Sequence, residues 1–218
     1  KIEFLTQNEN QTTLIKQHFG SNTNVRLTGM DTGELSVVPS YSSNDIIPRI
    51  DFLFHNTLHK EKGILYFIEL AKYLPQFSFC IPYSKNYTSK TLTIDLFSSN
   101  IIFIPCTWET GLYDLVKSAK IIICPSLWSA PVEGSFLKSL YFNGCVAVLK
   151  TSYSFVSEIP SSALIELSEN IAASVQTLSR ILSDDIAINN YKKNSNNWIE
   201  NFQKINIELL NEFANSLV

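Results

Sequence analysis

The sequence predicts an α/β protein with a doubly wound parallel sheet and C-terminal helices. The middle of the 218-residue chain alternates short apolar runs with helical patterns, which is typical of consecutive βαβ units. Two of the runs, Ile101–Ile104 and Ile121–Cys124, are apolar at every position, as expected for strands that helices cover on both faces. Between strands, Gly63–Leu74 carries apolar residues at helical spacing and stops before Pro75.

The individual elements follow from these patterns. Short runs rich in β-branched and aromatic residues predict strands at Asp51–Phe54, Phe77–Pro82, Asn100–Pro105, Lys120–Cys124, Val146–Lys150 and Ala163–Leu167. Apolar residues at helical spacing predict helices at Gly63–Leu74, Gly111–Ala119, Gly134–Asn143 and Glu169–Leu182. Because helices fall between strands, we expect parallel βαβ units within one sheet.

The two ends of the chain differ from the middle. Before residue 50, we predict one helix and three short strands, at Gln11–Phe19, Ile2–Leu5, Val25–Thr28 and Leu35–Val38. After Asp184, apolar residues at helical spacing predict a helix or helix pair that folds back over the domain, with a break or kink at Tyr191–Asn197.

These patterns suggest three parts. Residues 1–48 are predicted to be the end of a preceding domain, with a linker around Ser40–Pro48; residues 49–183 form the central domain and residues 184–218 the helical segment. Since the chain opens with Lys1 rather than Met, we expect it to be a piece of something longer.

Composition restricts the class of protein. The formal charge is -3 and charged residues make up 17% of the chain, so it lacks the cationic excess of nucleic-acid-binding proteins, and no nucleic-acid partner is expected. The longest apolar runs are strand-length and fall short of the ~20 residues of a membrane span. No transmembrane segment is predicted, while peripheral membrane association stays open.

The cysteines and histidines indicate no metal site. The four cysteines are widely spaced, form no CxxC pair, and mostly lie in apolar runs, which is typical of buried, reduced thiols in a cytoplasmic protein. The three histidines are scattered along the chain.

Ligands of doubly wound sheets bind beyond the carboxyl ends of the strands, so the segments after the strands are the candidate binding loops. The first, Phe54–Gly63, carries Lys60 and Lys62 between a strand and a helix. A lysine there could reach an anionic ligand, although most loop lysines are simply solvated.

The second loop, Pro105–Gly111, contains Thr107 and Trp108. Trp108 could stack on a nucleotide base or could equally be packed in the core. Tyr83 and Ser84, which follow the preceding strand, have the same two interpretations.

The third loop, Pro125–Gly134, follows a buried strand and contains Glu133. The backbone N–H groups of Gly134, Ser135 and Phe136 begin the next helix, where they and the helix dipole favour a phosphate. The alternative is an ordinary junction in which Ser135 is the N-cap.

In chain order, residues 50–182 resemble the C-terminal half of the retaining GT-B glycosyltransferases, especially family-4-like enzymes of glycosyl transferases group 1. Asn56–Gly63 is similar to the family's Gly-Arg, short loop and Glu-Lys-Gly: Asn56 and Thr57 stand at the glycine and arginine positions, and Lys62 matches the diphosphate-binding lysine. Lys117–Ser126, with its Ala, apolar strand and Pro-Ser, is the most specific match.

Further along, Glu133–Phe136 resembles the family's acidic turn, and Asn143–Val148 its helix end and next strand. Counting back from Gly144 places Ser139 where the family has a second acid, which binds the donor ribose.

The resemblance implies a Rossmann-like, donor-binding half of a hexosyl- or related transferase. Lys62 would neutralise the diphosphate leaving group and Glu133 would contact the donor sugar. Together, the loop positions and the resemblance give these candidate donor-binding residues: Asn56, Thr57, Tyr83, Ser84, Thr107, Trp108, Gly134, Ser135, Phe136 and Ser139.

The resemblance further implies that the nucleotide-sugar is a substrate, so that no cofactor and no metal are required. An N-terminal domain of the same or a partner chain would bind the acceptor, and this fragment alone would be inactive. One alternative is a degenerate, non-catalytic domain used for protein interaction, suggested by Thr57 and Ser139. Another is a nucleotide-sugar epimerase, which the lack of a suitable His and acid constellation disfavours.

Overall fold

The fold is taken from a computed structural model, which describes residues 2–32, 35, 37–39, 49–84, 98–127, 133–151 and 155–217. Within these ranges the central unit is a six-stranded, fully parallel sheet. Its strands are β3 (Phe52–Phe54), β4 (Phe79–Tyr83), β5 (Ile101–Pro105), β6 (Ile121–Cys124), β7 (Val146–Leu149) and β8 (Ile165–Leu167). They lie in the order β5-β4-β3-β6-β7-β8, which confirms the predicted doubly wound parallel sheet.

Helices cover both faces of the centre of this sheet, where the strand Ile121–Cys124 is buried at every position. The expectation that Ile101–Ile104 is also covered on both faces is wrong: this strand lies at the edge of the sheet, where Ile102 and Phe103 are 39% and 38% exposed. The helices are α2 (Ile64–Tyr73), α3 (Leu112–Ser118), α4 (Gly134–Phe142), α5 (Ile171–Leu182) and α6 (Asp185–Asn215). Buried residues of α2 and α5 pack on one face, and those of α3 and α4 on the other. Alternate strand residues divide between the two cores: Phe52 and Phe54 contact the α2 side, while Leu53 contacts the α3 side.

The N-terminal part forms a separate small unit. It consists of β1 (Phe4–Thr6), α1 (Glu9–Phe19) and β2 (Val25–Leu27), with β1 and β2 paired in parallel. Helix α6 ties this unit to the central sheet: Asn206 Oδ1 accepts a hydrogen bond of 2.8 Å from the backbone N–H of Met30, and Arg26 lies over the ring of Phe213 at 5.0 Å.

Two sequence predictions at the ends are wrong. Leu35–Val38 is not a strand at its described residues: Leu35 is buried in the core, Val37 and Val38 are exposed, and the Val37 carbonyl accepts from the Trp108 indole. Tyr191–Asn197 does not break the C-terminal helix, which runs without interruption through it. The segment has no Pro or Gly, and burial of Ser195 continues the packed stripe through the polar stretch.

Further predictions concern the cysteines, the linker and the division of the chain into parts. The four cysteines are free and buried, as expected. The proposed linker at Ser40–Pro48 lies outside the described residues, and the three-part division of the chain stays a prediction. No helix in the described ranges combines the length and apolar character needed to cross a membrane.

Gly63 is required where the loop after β3 meets the loop after β6. Its φ of +77° lies in the left-handed region, and a Cβ at this position would come within 1.9 Å of the Pro125 carbonyl oxygen. Close approach of the two backbones at this point thus depends on a residue without a side chain.

Replacing Gly63 with Ala should lower the free energy of unfolding by about 2–4 kcal/mol, because it adds backbone strain to an overpacked contact. Urea denaturation measures the change. The matched control is Gly134→Ala, where nothing lies within 4 Å of the new Cβ; we expect a change below about 1 kcal/mol there. Equal effects in the two variants would contradict the close contact.

Candidate functional site

The site lies at the topological switch point of the sheet. Strands β3 and β6 are neighbours, and from them the chain winds towards β4 and β5 on one side and β7 and β8 on the other. The loops that leave the carboxyl ends of β3 and β6 therefore diverge and open a crevice between them. These are the loops that begin at His55 and Pro125.

Contacts between backbones hold the two loops together. After β3, a 3-10 turn at Lys60–Lys62 leads into Gly63, which lies against Pro125. The backbone N–H of Leu127 donates to the carbonyl of Glu61 at 2.9 Å. Side chains on the two loops are thereby brought within hydrogen-bonding distance.

The carboxylate of Glu133 is the centre of a polar network between these loops. Its Oε1 forms an ion pair with Lys62 Nζ at 2.5 Å and accepts from Ser126 Oγ at 2.7 Å. Its Oε2 accepts from Asn56 Nδ2. The Lys62 and Glu133 side chains are only 13% and 12% exposed, so the pair is partly shielded from water.

Helix α4 begins directly after this carboxylate. Glu133 is the N-cap residue, yet its side chain makes no capping bond in the described structure, because it faces the network. The Leu137 N–H donates to the Glu133 carbonyl at 3.0 Å, which starts the helical pattern. The backbone N–H groups of the first turn point out of the helix, where they and the helix dipole attract an anion.

Ser139 and His55 form a buried pair beneath the site. Ser139 is 0% exposed and its Oγ lies 2.7 Å from Nδ1 of His55 and 2.8 Å from the Ser135 carbonyl. The predicted donor-binding position at Ser139 is therefore enclosed and its hydroxyl is already engaged. His55 is 5% exposed; its burial, followed by the charge of Lys138, lowers the pKa of its imidazole to about 4.

Trp108 is half-buried in an aromatic and cationic cluster, and it also lines the larger of the two cavities described below. Its ring is parallel to that of His55 at a centroid distance of 6.2 Å, and Lys138 Nζ lies 4.6 Å from its centroid. It also contacts Phe142. The neighbouring Thr107 is the N-cap of the 3-10 turn at Trp108–Thr110, and its hydroxyl already has a hydrogen-bond partner in Thr110.

Two cavities lie beside each other and share two lining residues, His55 and Leu112. The larger has a volume of about 400 Å³ and is lined by Trp108, Gly134 and Lys138 together with Met30, Asp31, Thr32 and Leu35 of the N-terminal part. The smaller has a volume of about 200 Å³ and is lined by Asn56, Thr57, Tyr83 and Ser84, among others.

The structure brings most of the predicted site residues to one edge of the sheet. Lys62, Glu133 and Asn56 form the network, and Asn56 joins it to the smaller cavity. Thr57, Tyr83 and Ser84 line the smaller cavity, and Trp108, Gly134 and Ser135 the larger one. Thr107, Phe136 and Ser139 line neither, and the Phe136 side chain is buried in the core. Their roles, like those of the others, stay predictions.

Sequence reasoning missed four features: His55, Ser126, Lys138 and the segment Met30–Thr32. His55 could have been found, since it is the first residue after β3. The contribution of Met30–Thr32 had no local signal, because it depends on long-range folding. Residues 128–132 of the predicted loop Pro125–Gly134 lie outside the described residues.

Metal coordination has no support in the part of the chain that the structure describes. No three or more His, Cys, Asp and Glu side chains in these ranges are grouped so that they could hold an ion.

No protein-family model matches the chain, and no curated protein matches its sequence. Solved structures do match it. Sucrose-phosphate synthase from Thermosynechococcus elongatus superposes with a TM-score of 0.78 and 13% identity, over 99% of this chain and 58% of that one. HepE from Anabaena, solved with UDP, superposes with a TM-score of 0.73 and 12% identity, over 98% of this chain and 62% of that one. The pneumococcal O-GlcNAc transferase GtfA, solved with UDP and GlcNAc, superposes with a TM-score of 0.67 and 15% identity, over 98% of this chain and 44% of that one.

The chain thus spans less than two thirds of the length of each of these proteins. At such low identity the likeness concerns the fold. These neighbours are GT-B glycosyltransferases, and the chain has the fold of the Rossmann-like half of a GT-B glycosyltransferase, as the sequence predicted.

Proposed function

We propose that this chain is the donor-binding half of a retaining glycosyltransferase that transfers a sugar from a nucleotide-sugar to an acceptor held by another domain. The observation that carries the proposal is the Glu133 network at the switch point. It places a lysine, an amide and a hydroxyl around one carboxylate beside the first turn of α4.

The electrostatics of the crevice suit a diphosphate. A diphosphate needs positive charge or aligned N–H groups near its oxygens, and the crevice offers Lys62, Lys138 and the first turn of α4. In the free chain Glu133 balances the charge of Lys62 and holds its ammonium group in place. A bound diphosphate would share that ammonium group with Glu133.

The same groups would assist departure of the leaving group. Negative charge develops on the diphosphate as the bond to the sugar breaks, and fixed cations and N–H dipoles stabilise it without the need for reorganisation. Glu133 would accept from a hydroxyl of the donor sugar. No metal enters this scheme, because Lys62 and the helix N-terminus supply the positive charge.

Support for the donor class comes from the structural neighbours. HepE has been solved with UDP-glucose, and GtfA with UDP and GlcNAc. We therefore choose UDP and UDP-hexoses as the first probes. Because the acceptor would be bound elsewhere, we expect this fragment to bind donor without turnover. We place the reaction in the cytoplasm, since the described cysteines are free.

A second candidate is a non-catalytic domain that keeps the fold for protein interaction. The enclosed Ser139 favours it, because that hydroxyl is engaged by His55 and Ser135 and is closed to a donor. Calorimetry with UDP-, GDP- and ADP-sugars separates the two candidates. Binding of one class supports the transferase, and absence of binding to all of them supports the non-catalytic domain.

Replacing Lys62 with Met should weaken UDP binding about tenfold to a hundredfold, because a charge-assisted hydrogen bond contributes about 1.5–3 kcal/mol. Isothermal titration calorimetry measures the dissociation constant. Lys150→Met is the matched control, since it breaks the exposed Lys150–Glu166 ion pair at 2.8 Å away from the crevice. UDP affinity that is the same in both variants would rule out Lys62 as a diphosphate ligand.

Replacing Glu133 with Gln should have the opposite effect on UDP. The substitution keeps the shape of the side chain but removes the charge that balances Lys62, so UDP should bind about two- to fivefold more tightly. The gain should shrink as salt is raised, because ions screen the uncompensated lysine. The same titrations at two salt concentrations measure it, and weaker UDP binding at low salt would contradict this model of the network.

A further inference from the structure

His55 occupies a position that the proposed function does not use. It lies directly after β3, is almost completely buried, and lines both cavities together with Leu112. Its Nδ1 atom contacts Ser139 Oγ at 2.7 Å. Its Nε2 atom makes no hydrogen bond to the described residues and is not among their fully buried, unpartnered polar atoms. The Nδ1 atom is therefore bound to Ser139, whereas the Nε2 atom is accessible from the cavities.

The hydrogen-bond chain behind the ring determines which nitrogen carries the proton. Ser139 Oγ lies 2.8 Å from the Ser135 carbonyl, which can only accept, so the single hydroxyl hydrogen of Ser139 is used there. With that hydrogen on the carbonyl, Ser139 Oγ accepts from His55, and we assign the ring hydrogen to Nδ1 on this basis. Cys124 Sγ lies 3.6 Å from the His55 carbonyl, to which it donates, and 3.7 Å from Ser139 Oγ. With its one hydrogen on that carbonyl, the thiol can only accept from Ser139, and sulfur is a weaker acceptor than the Ser135 carbonyl.

Charges around the ring keep it neutral. Lys138 on α4 is the charged group that acts on His55, and its repulsion adds to the effect of burial. Cys124 on β6 is uncharged at neutral pH, because burial raises the pKa of its thiol to about 12. A neutral ring with a hydrogen on Nδ1 has a lone pair on Nε2.

We propose that His55 is a specificity-determining residue whose Nε2 lone pair accepts a hydrogen bond from a sugar hydroxyl of the bound nucleotide-sugar. This inference rests on the proposed function. A ligand that extends from the 200 Å³ cavity into the 400 Å³ cavity must pass the wall that His55 and Leu112 form. Leu112 cannot form a hydrogen bond with its side chain, so polar recognition at this wall depends on His55.

The Nε2 lone pair of His55 is a hydrogen-bond acceptor, and this determines which group of the ligand it can bind. An ionised phosphate has no hydrogen to offer, whereas a hydroxyl has one, so a neutral Nε2 favours a hydroxyl at this point of the crevice. Both the ribose and the transferred sugar carry hydroxyls, and the experiment distinguishes them.

The test uses His55→Asn in the whole chain. The Asn amide nitrogen can take the place of Nδ1 and donate to Ser139, while no atom replaces Nε2. Calorimetry with UDP, 2′-deoxy-UDP and UDP-glucose compares the variant with the wild type. We expect a loss of about three- to tenfold, the effect of one hydrogen bond. His18→Asn, on the exposed face of α1, is the matched control.

The pattern of loss identifies the hydroxyl. If the ribose 2′-hydroxyl is the donor, the affinities for UDP and UDP-glucose fall equally, while the affinity for 2′-deoxy-UDP changes little. If the ribose 3′-hydroxyl is the donor, the affinities for all three ligands fall equally. If the transferred sugar donates, only UDP-glucose weakens. Unchanged affinity for all three ligands overturns the proposal.

A measurement without ligand or variant checks the tautomer. Nitrogen-15 NMR of the wild-type imidazoles should show His55 neutral, with its hydrogen on Nδ1, from pH 5 to pH 8. A hydrogen on Nε2, or protonation within that range, overturns the proposal even if His55→Asn does not fold. If wild type binds no nucleotide-sugar, the proposed function fails and the hydroxyl contact with it, whereas the NMR result still decides the state of the ring.

Discussion

Contact between the backbones of Gly63 and Pro125 is the constraint on which the site depends. The two residues lie 62 positions apart in the sequence and meet because β3 and β6 are neighbours at the centre of the sheet. The loops after these strands would otherwise diverge, since the chain winds in opposite directions from the switch point. Their contact fixes the distance across the crevice and brings Lys62 and Asn56 to Glu133.

The polar network around Glu133 is held in place by the attraction between opposite charges. A partly buried carboxylate is stable only if donors surround it, and Glu133 has three of them, from the loop after β3 and from Ser126. Lys62 is likewise only 13% exposed and has a counter-charge. Each charge thus lowers the cost of burying the other, so the site is organised before any ligand arrives. This preorganisation favours binding, because few side chains must be ordered at that moment.

The sequence predicted the fold well because the patterns that define it are local. Apolar runs and turn residues are properties of short segments, and they predict every strand of the central sheet to within two residues of its observed bounds. The contact between Lys62 and Glu133, 71 residues apart, follows from the switch-point rule and leaves no signal in the local pattern. Ser139 shows the limit of local patterns. They predict its position on α4, whereas its burial against His55 depends on how the helix is rotated relative to the sheet. The uninterrupted helix through Tyr191–Asn197 shows the same limit, since tertiary packing outweighs the modest propensities of Asn and Lys.

Helix α4 connects the crevice to the core through its periodicity. Gly134 and Ser135 lie four and three residues before Lys138, so these residues share the face that lines the larger cavity. Ser139 lies about 100° further round the helix and points inward to His55. At the other end of α4, the Asn143 amide donates to the carbonyls of Val116 and Ala119 and anchors the helix to α3. A rotation of α4 would therefore displace Lys138 from the cavity and Ser139 from His55 together. The charge in the crevice and the tautomer of the buried imidazole are thus set by one rigid element.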